Sequence, residues 1–267
     1  MTADETFFLW PDGSPHNGTE PTTRPRLEVY YPSGEFRGRA VIILPGGGYE
    51  MLAPHEGEPF ARLFAYHGLL AAVCFYRVSP HRYPAPMADA ARAVRLVRAQ
   101  AEHWGLREGG ITLMGFSAGG HLASTIATQP DLHRDPLDDL AARYRARPDR
   151  LALAYPVISL VREYHLGSAV ALLGPRPPEA LRRQLSNELH VSPANPPVFL
   201  FHTADDEVVP VSNSIRFAQA CRAQGVPVSL YIYPSGPHGV GLAEGWPDLR
   251  SWVDRLLEWL LKNGLPT

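Results

Sequence analysis

From residue 40 to residue 233 the chain alternates short apolar runs with segments of helical period, and this alternation constrains the fold more than any other feature. Residues 40–44, 69–75, 111–114, 151–155, 198–202 and 228–233 are too short for buried helices. Most end on Gly, Pro or a polar turn, as buried strands do. Residues 58–66, 87–103, 121–128, 213–224 and 249–261 repeat apolar side chains at helical spacing, Ala90, Val94, Val97 and Ala101 for example. Strands that alternate with helices predict a mostly parallel sheet covered by helices on both faces.

Two stretches interrupt the alternation. Residues 130–150 are charged, and residues 159–197 mix prolines with helical patches such as 179–185. The expectation is one α/β domain over residues 1–267, with 159–197 inserted in it as a small cap. Before the alternation begins, Leu27, Val29 and Tyr31 interleave with polar residues as an edge strand would. Residues 1–25, rich in Pro, Gly, Thr and Asn, predict an irregular arm.

A 45% apolar content over 267 residues supplies a core without help from disulfides or a metal. Cys74 lies inside an apolar run and reads as a small core residue; with Cys221 it makes no disulfide framework. A net charge of -2 argues against nucleic acid or an anionic membrane as partner. No window of about 18 apolar residues suggests a membrane span. The start, Met1-Thr2-Ala3-Asp4-Glu5, has no basic segment followed by an apolar one, so a cytoplasmic location is expected. No His, Cys or acidic spacing suits a metal, and no glycine loop carries the Gly-Lys-Ser/Thr of a phosphate loop.

Chemistry concentrates where the predicted strands end. Gly115-Phe116-Ser117-Ala118-Gly119 joins a strand to a helix. A serine there sits on a tight, strained turn, and the glycines on either side avoid clashes. The turn exposes the hydroxyl at the carboxyl edge of the sheet, where the helix N-terminus favours developing negative charge. A chance turn is the bland alternative, but the flanking strand and helix fit the catalytic one.

Pro45-Gly46-Gly47-Gly48-Tyr49 follows another buried strand. Glycines let backbone N–H groups turn towards a tetrahedral oxyanion. Esterases often carry His-Gly-Gly-Gly here; Pro45 stands where that His would be. The expected donors are the N–H groups of Gly47 and Ala118, with Gly48 as the alternative. A plain flexible turn is the competing reading.

An acid is needed to orient a catalytic histidine, and Asp205 and Asp206 compete for that role. The D-x-x-V-P spacing selects Asp206, four residues before Pro210, and leaves Asp205 as a loop or cap residue. Among eleven histidines, His238 alone follows the last strand within a Gly/Pro loop. His121 and His202 have apolar neighbours and read as satisfied structural residues. His55, His67, His81, His133 and His165 read as surface or loop residues. Tyr49, Tyr76 and Tyr164 are candidates for pocket lining, with core or surface packing the equal alternative. The order Ser117, Asp206, His238 is that of the α/β-hydrolase fold.

These motifs, with Tyr76-Arg77-Val78-Ser79-Pro80, residues 84–89 (PAPMAD) and residues 236–242, resemble those of the bacterial acetyl-xylan-esterase-like and feruloyl-esterase-like α/β hydrolases. The resemblance runs from about residue 25 to near the end of the chain. It implies a Ser117–His238–Asp206 triad, hydrolysis of short acyl esters without a cofactor, and acetylated xylose-type sugars as substrates. Insertions at the place of 159–197 in such a fold often carry a lid over the active site. Two other readings compete. One is a prolyl-oligopeptidase-like serine peptidase, for whose usual N-terminal propeller 267 residues leave no room. The other is a non-catalytic binding module, which a complete triad disfavours.

Overall fold

The structure is a computed structural model that describes residues 3–11, 13–16, 24–132 and 134–262. Eight strands form one sheet: β1 (Glu5–Phe8), β2 (Arg26–Tyr30), β3 (Ala40–Leu44), β4 (Leu70–Phe75), β5 (Ile111–Phe116), β6 (Arg150–Ala154), β7 (Val198–Thr203) and β8 (Val228–Tyr233). Their order in space is β1-β2-β4-β3-β5-β6-β7-β8. β1 pairs antiparallel with β2 and β2 antiparallel with β4, and from β4 to β8 all are parallel. The predicted mostly parallel sheet with helices on both faces is therefore what forms.

Among the described residues seven α-helices accompany it: α1 (Glu58–Tyr66), α2 (Ala85–Ala99), α3 (Ser117–Thr128), α4 (Leu166–Leu173), α5 (Glu179–Gln184), α6 (Ser212–Ala223) and α7 (Ser251–Leu261). Side chains alternate across each strand, so each central strand feeds two cores. On β3, Ile42 and Leu44 join Met87, Leu122 and Phe217 beneath α2, α3 and α6. Val41 and Ile43 join Phe60, Phe64, Trp252 and Leu256 beneath α1 and α7. Residues 159–197 contain α4 and α5. Cys74 and Cys221 are both buried and free.

Two expectations need correction at the N-terminal end. Glu5–Phe8 is a strand, not part of an irregular arm; its four residues lack a visible period, and pairing with β2 is what orders them. β2 is consequently interior, with β1 on one side and β4 on the other. Its alternation of half-buried and buried residues records two unequal faces, not an open edge.

The register fixes where chemistry can sit. Leu44 pairs with Gly115, Phe116 with Ala154, Ala154 with Phe201, and Thr203 with Tyr233. The loops after β3, β5, β6, β7 and β8 therefore emerge together along one edge. The chain also leaves β3 for β4 on one side and β5 on the other. That makes a switch point, outside whose carboxyl ends sheets of this kind bind ligands.

Candidate active site

Ser117 opens α3 with φ 49°, a left-handed backbone unusual for a residue with a side chain. Its neighbours make that turn feasible. A Cβ on Gly115 would lie 2.2 Å from the Gly119 carbonyl oxygen, and one on Gly119 would lie 2.2 Å from the Leu44 carbonyl oxygen. The helix thus starts in direct backbone contact with the end of β3. Ser117 retains 8% exposure. The N–H of Ala118, in the first turn of α3, has no intrahelical acceptor.

His238 reaches Ser117 from the loop after β8, with Nε2 2.8 Å from Oγ. Its Nδ1 lies 2.7 Å from Asp206 Oδ2. Asp206 Oδ1 accepts the backbone N–H groups of Val208 and Val209, both at 2.9 Å. Buried His202 lies 3.3 Å from Asp206 Oδ2 and also bonds the Val209 carbonyl and Ser214. Burial by itself would raise the Asp206 pKa. Hydrogen bonds from His202 and His238, with the His238 charge, outweigh burial and hold this carboxyl well below the usual carboxylate range.

Asp205 faces solvent and bonds the loop that carries His238. Its Oδ2 accepts the Ser235 hydroxyl at 2.6 Å and its Oδ1 the Gly236 N–H at 2.8 Å. Thr203 Oγ1 donates to the Gly236 carbonyl from the other side.

The glycine loop after β3 wraps over Ser117. A Cβ on Gly46 would fall 2.9 Å from the Ser117 Cβ. Gly47 has φ 117°, and a Cβ there would lie 2.3 Å from the Met51 carbonyl oxygen, so glycine is required. The loop is tied from several directions. Tyr76 donates its hydroxyl to the Pro45 carbonyl at 2.5 Å, Ala53 N–H bonds the Gly46 carbonyl, and Gly46 N–H donates to Glu56 Oε2 at 2.7 Å.

The other residues singled out in the sequence fall partly as expected, with His121 a satisfied core residue, and partly not, with His81 buried. Tyr49 and Tyr76 are buried and meet edge to face, so they belong to the core. Tyr164 is half-buried beside Arg182. His121 is fully enclosed, bonded to the Tyr49 hydroxyl through Nδ1 and the Leu185 carbonyl through Nε2. Burial lowers its pKa to about 4. His81, expected near the surface, is 4% exposed because its loop folds beneath α4, where Tyr83 N–H bonds the Leu172 carbonyl. His165 is half-buried at the start of α4, its Nδ1 2.8 Å from Ser168 Oγ. His133 lies outside the described residues.

Two buried residues beside the site carry no sequence signal. Glu56 follows His55 in a single-turn helix, Pro54–Glu56, and only the tertiary fold shows its burial. Tyr155 follows β6 with φ 38° and sets its ring against that of His238, 5.1 Å between centres.

A largely parallel sheet whose central strand turns through a positive-φ serine into a helix is the α/β-hydrolase fold. The BD-FAE family profile matches residues 27–221, and the chain belongs to that family. It is 35% identical over 234 residues to an endo-1,4-beta-xylanase B of Butyrivibrio fibrisolvens, covering 83% of this chain and 36% of that protein. It is 34% identical over 229 residues to an acetylxylan esterase of Xylanibacter ruminicola, covering 84% and 45%. The chain thus spans less than half the length of either relative. Among solved structures, an acetyl ester-xyloside bifunctional hydrolase from Caldicellulosiruptor lactoaceticus superposes with a TM-score of 0.90 at 40% identity, over 97% of this chain and 96% of that one. The propionate-bound Est2 esterase of Thermogutta terrifontis gives 0.76 at 27% identity, over 97% and 92%. The resemblance drawn from the sequence motifs therefore holds at the level of the family.

Proposed function

We propose that the protein is a serine carboxylesterase that removes short acyl groups, acetyl foremost, from xylo-oligosaccharides or related sugars. The observation that carries this reading is the Ser117–His238–Asp206 chain of hydrogen bonds, 2.8 and 2.7 Å, at the carboxyl edge of the sheet. The xylanase, acetylxylan esterase and xyloside hydrolase among its relatives support the substrate class.

In this mechanism His238 Nε2 takes the proton as Ser117 Oγ attacks the ester carbonyl carbon. The N–H groups of Gly47 and Ala118, with Gly48 as the alternative, hold the oxyanion. Asp206 keeps the His238 proton on Nδ1 and stabilises the imidazolium. His238 then protonates the leaving alcohol, and the acyl-enzyme is hydrolysed by a water that His238 deprotonates. The chemistry requires no metal or cofactor. Residues 159–197 act as the cap over this site. Cytoplasmic residence belongs to the same proposal; among the described residues, no helix is long and apolar enough to cross a membrane.

The test is acetate release from acetylated xylo-oligosaccharides beside hydrolysis of p-nitrophenyl acetate. Release from the sugars at a rate comparable to the aryl ester supports the carbohydrate assignment. Cleavage of the aryl ester alone overturns it and leaves a general esterase.

A further inference from the structure

Glu56 is 2% exposed, yet it is an acid. Burying a carboxylate is costly unless its oxygens are satisfied. Here Oε2 accepts the Gly46 N–H at 2.7 Å and Oε1 accepts the Tyr155 hydroxyl at 2.9 Å. Tyr155 Oη in turn accepts the Gly241 N–H at 3.3 Å, which directs its single proton to Glu56. Both carboxyl oxygens are thus acceptors, the pattern of an ionised acid. A neutral amide would satisfy Gly46 equally well, so the charge itself calls for an explanation.

The surroundings supply one. A Cβ on Gly46 would touch both Glu56 Oε2 and Ser117 Cβ, at 2.8 and 2.9 Å, so one glycine separates the acid from the nucleophile. Tyr155, which holds Oε1, lies edge to face with His238. A Cβ on Gly239, next to His238, would lie 3.9 Å from Oε1. His55 Nε2 bonds the Gly239 carbonyl at 3.0 Å and lies 3.7 Å from Oε1.

We propose that Glu56 is a positioning residue of the esterase. It holds Gly46 so that the following N–H groups face the oxyanion, and it places a second negative charge behind His238. The inference rests on the serine-esterase reading above. When the Ser117 proton passes to His238 Nε2, the imidazolium is bonded to Asp206 from the loop after β7, while Glu56 stands beyond Tyr155 and Gly239 in the turn after β3. The other polar and titratable groups around it are Tyr155 after β6, His55 beside Glu56, His165 from α4 and His202 behind Asp206. Burial raises the Glu56 carboxyl above its ordinary value, while the bonds from Gly46 and Tyr155 and the charges of His55 and His238 oppose that rise. Removing the charge makes the imidazolium that forms during attack less stable.

The test is p-nitrophenyl acetate kinetics from about pH 5 to 9 for the wild type and Glu56→Gln, an isostere that still accepts from Gly46. The expected result is a kcat lower by about tenfold and a KM within about twofold, since the lost interaction is made to the transition state. The acid limb of kcat/KM moves to lower pH by about half a unit. A purely structural role would lower the melting temperature and leave that limb in place. Should Glu56→Gln not fold, Tyr155→Phe removes the donor to Oε1 and keeps the carboxylate, whose charge then acts more strongly on His238, and the acid limb moves up instead. An active wild type with an unmoved limb in whichever variant folds overturns the role of Glu56. A wild type inert on every ester overturns the esterase reading and this inference with it.

Discussion

Gly119 and Leu44 touch through backbone alone: a Cβ on Gly119 would sit 2.2 Å from the Leu44 carbonyl oxygen and 2.5 Å from that of Pro45. This contact joins the helix that carries Ser117 to the strand that carries the glycine loop. The register of β3 against β5, Leu44 beside Gly115, makes the approach unavoidable. Gly119→Ala must push the two elements apart. It is expected to destabilise the fold by about 1–3 kcal/mol. Esterase kcat is expected to fall by about tenfold or more, because a misplacement near 1 Å is costly in a site of this kind. Thermal melting and p-nitrophenyl acetate hydrolysis, measured together, check both.

Asp205 and Asp206 stand side by side and differ in what they hold. Asp206→Asn keeps the shape but loses the charge and the grip on the His238 tautomer, and kcat is expected to fall by about 10³–10⁴. Asp205→Asn loosens an exposed bond to Ser235 and Gly236, and kcat is expected to stay within about tenfold of the wild type. Comparing the two variants under identical conditions decides which aspartate belongs to the triad.

Much of this arrangement was legible in the sequence. Strong apolar runs such as Ala40–Leu44 and Ile111–Phe116 are buried throughout, so their composition betrays them. Ser117, Asp206 and His238 each end or follow such a run, and the turn chemistry around them is local. Glu5–Phe8 was not legible, because a four-residue strand with mostly exposed side chains depends on its partner β2. Glu56 and Tyr155 were not legible for a similar reason. Their bond spans 99 residues, and neither occupies a position that motif spacing marks.

Two stretches that carried the family resemblance prove to be one ion pair. Arg77 donates to both oxygens of Asp89, at 2.8 and 2.7 Å, and both side chains are 0% exposed. Asp89 also accepts the indole N–H of Trp10 and the backbone N–H of Arg77. Asp89→Ala leaves a buried guanidinium without its carboxylate and is expected to cost about 3–5 kcal/mol. Arg77→Lys loses the two-pronged geometry and is expected to destabilise as well. Urea unfolding at neutral pH measures each.

Burial holds His121 neutral, with a folded pKa of about 4 against an ordinary value of 6.5. A depressed value means the folded state binds fewer protons than the unfolded chain. The resulting stability is fully present above pH 6.5 and is lost as pH falls towards 4. The loss attributable to this group is roughly 3 kcal/mol. His121→Gln retains a donor for the Leu185 carbonyl. It is expected to be less stable at pH 7 but to lose less between pH 6.5 and 4 than the wild type. Melting temperatures across that window show the difference in slope.

The central claim is that Ser117, activated by His238, is the nucleophile. Its most direct measurement is the rate of p-nitrophenyl acetate hydrolysis by Ser117→Ala against the wild type, each shown to be folded by its melting transition. A nucleophilic Ser117 requires a loss of about a thousandfold or more in kcat. A Ser117→Ala protein that keeps the wild-type rate contradicts it and moves the active centre elsewhere.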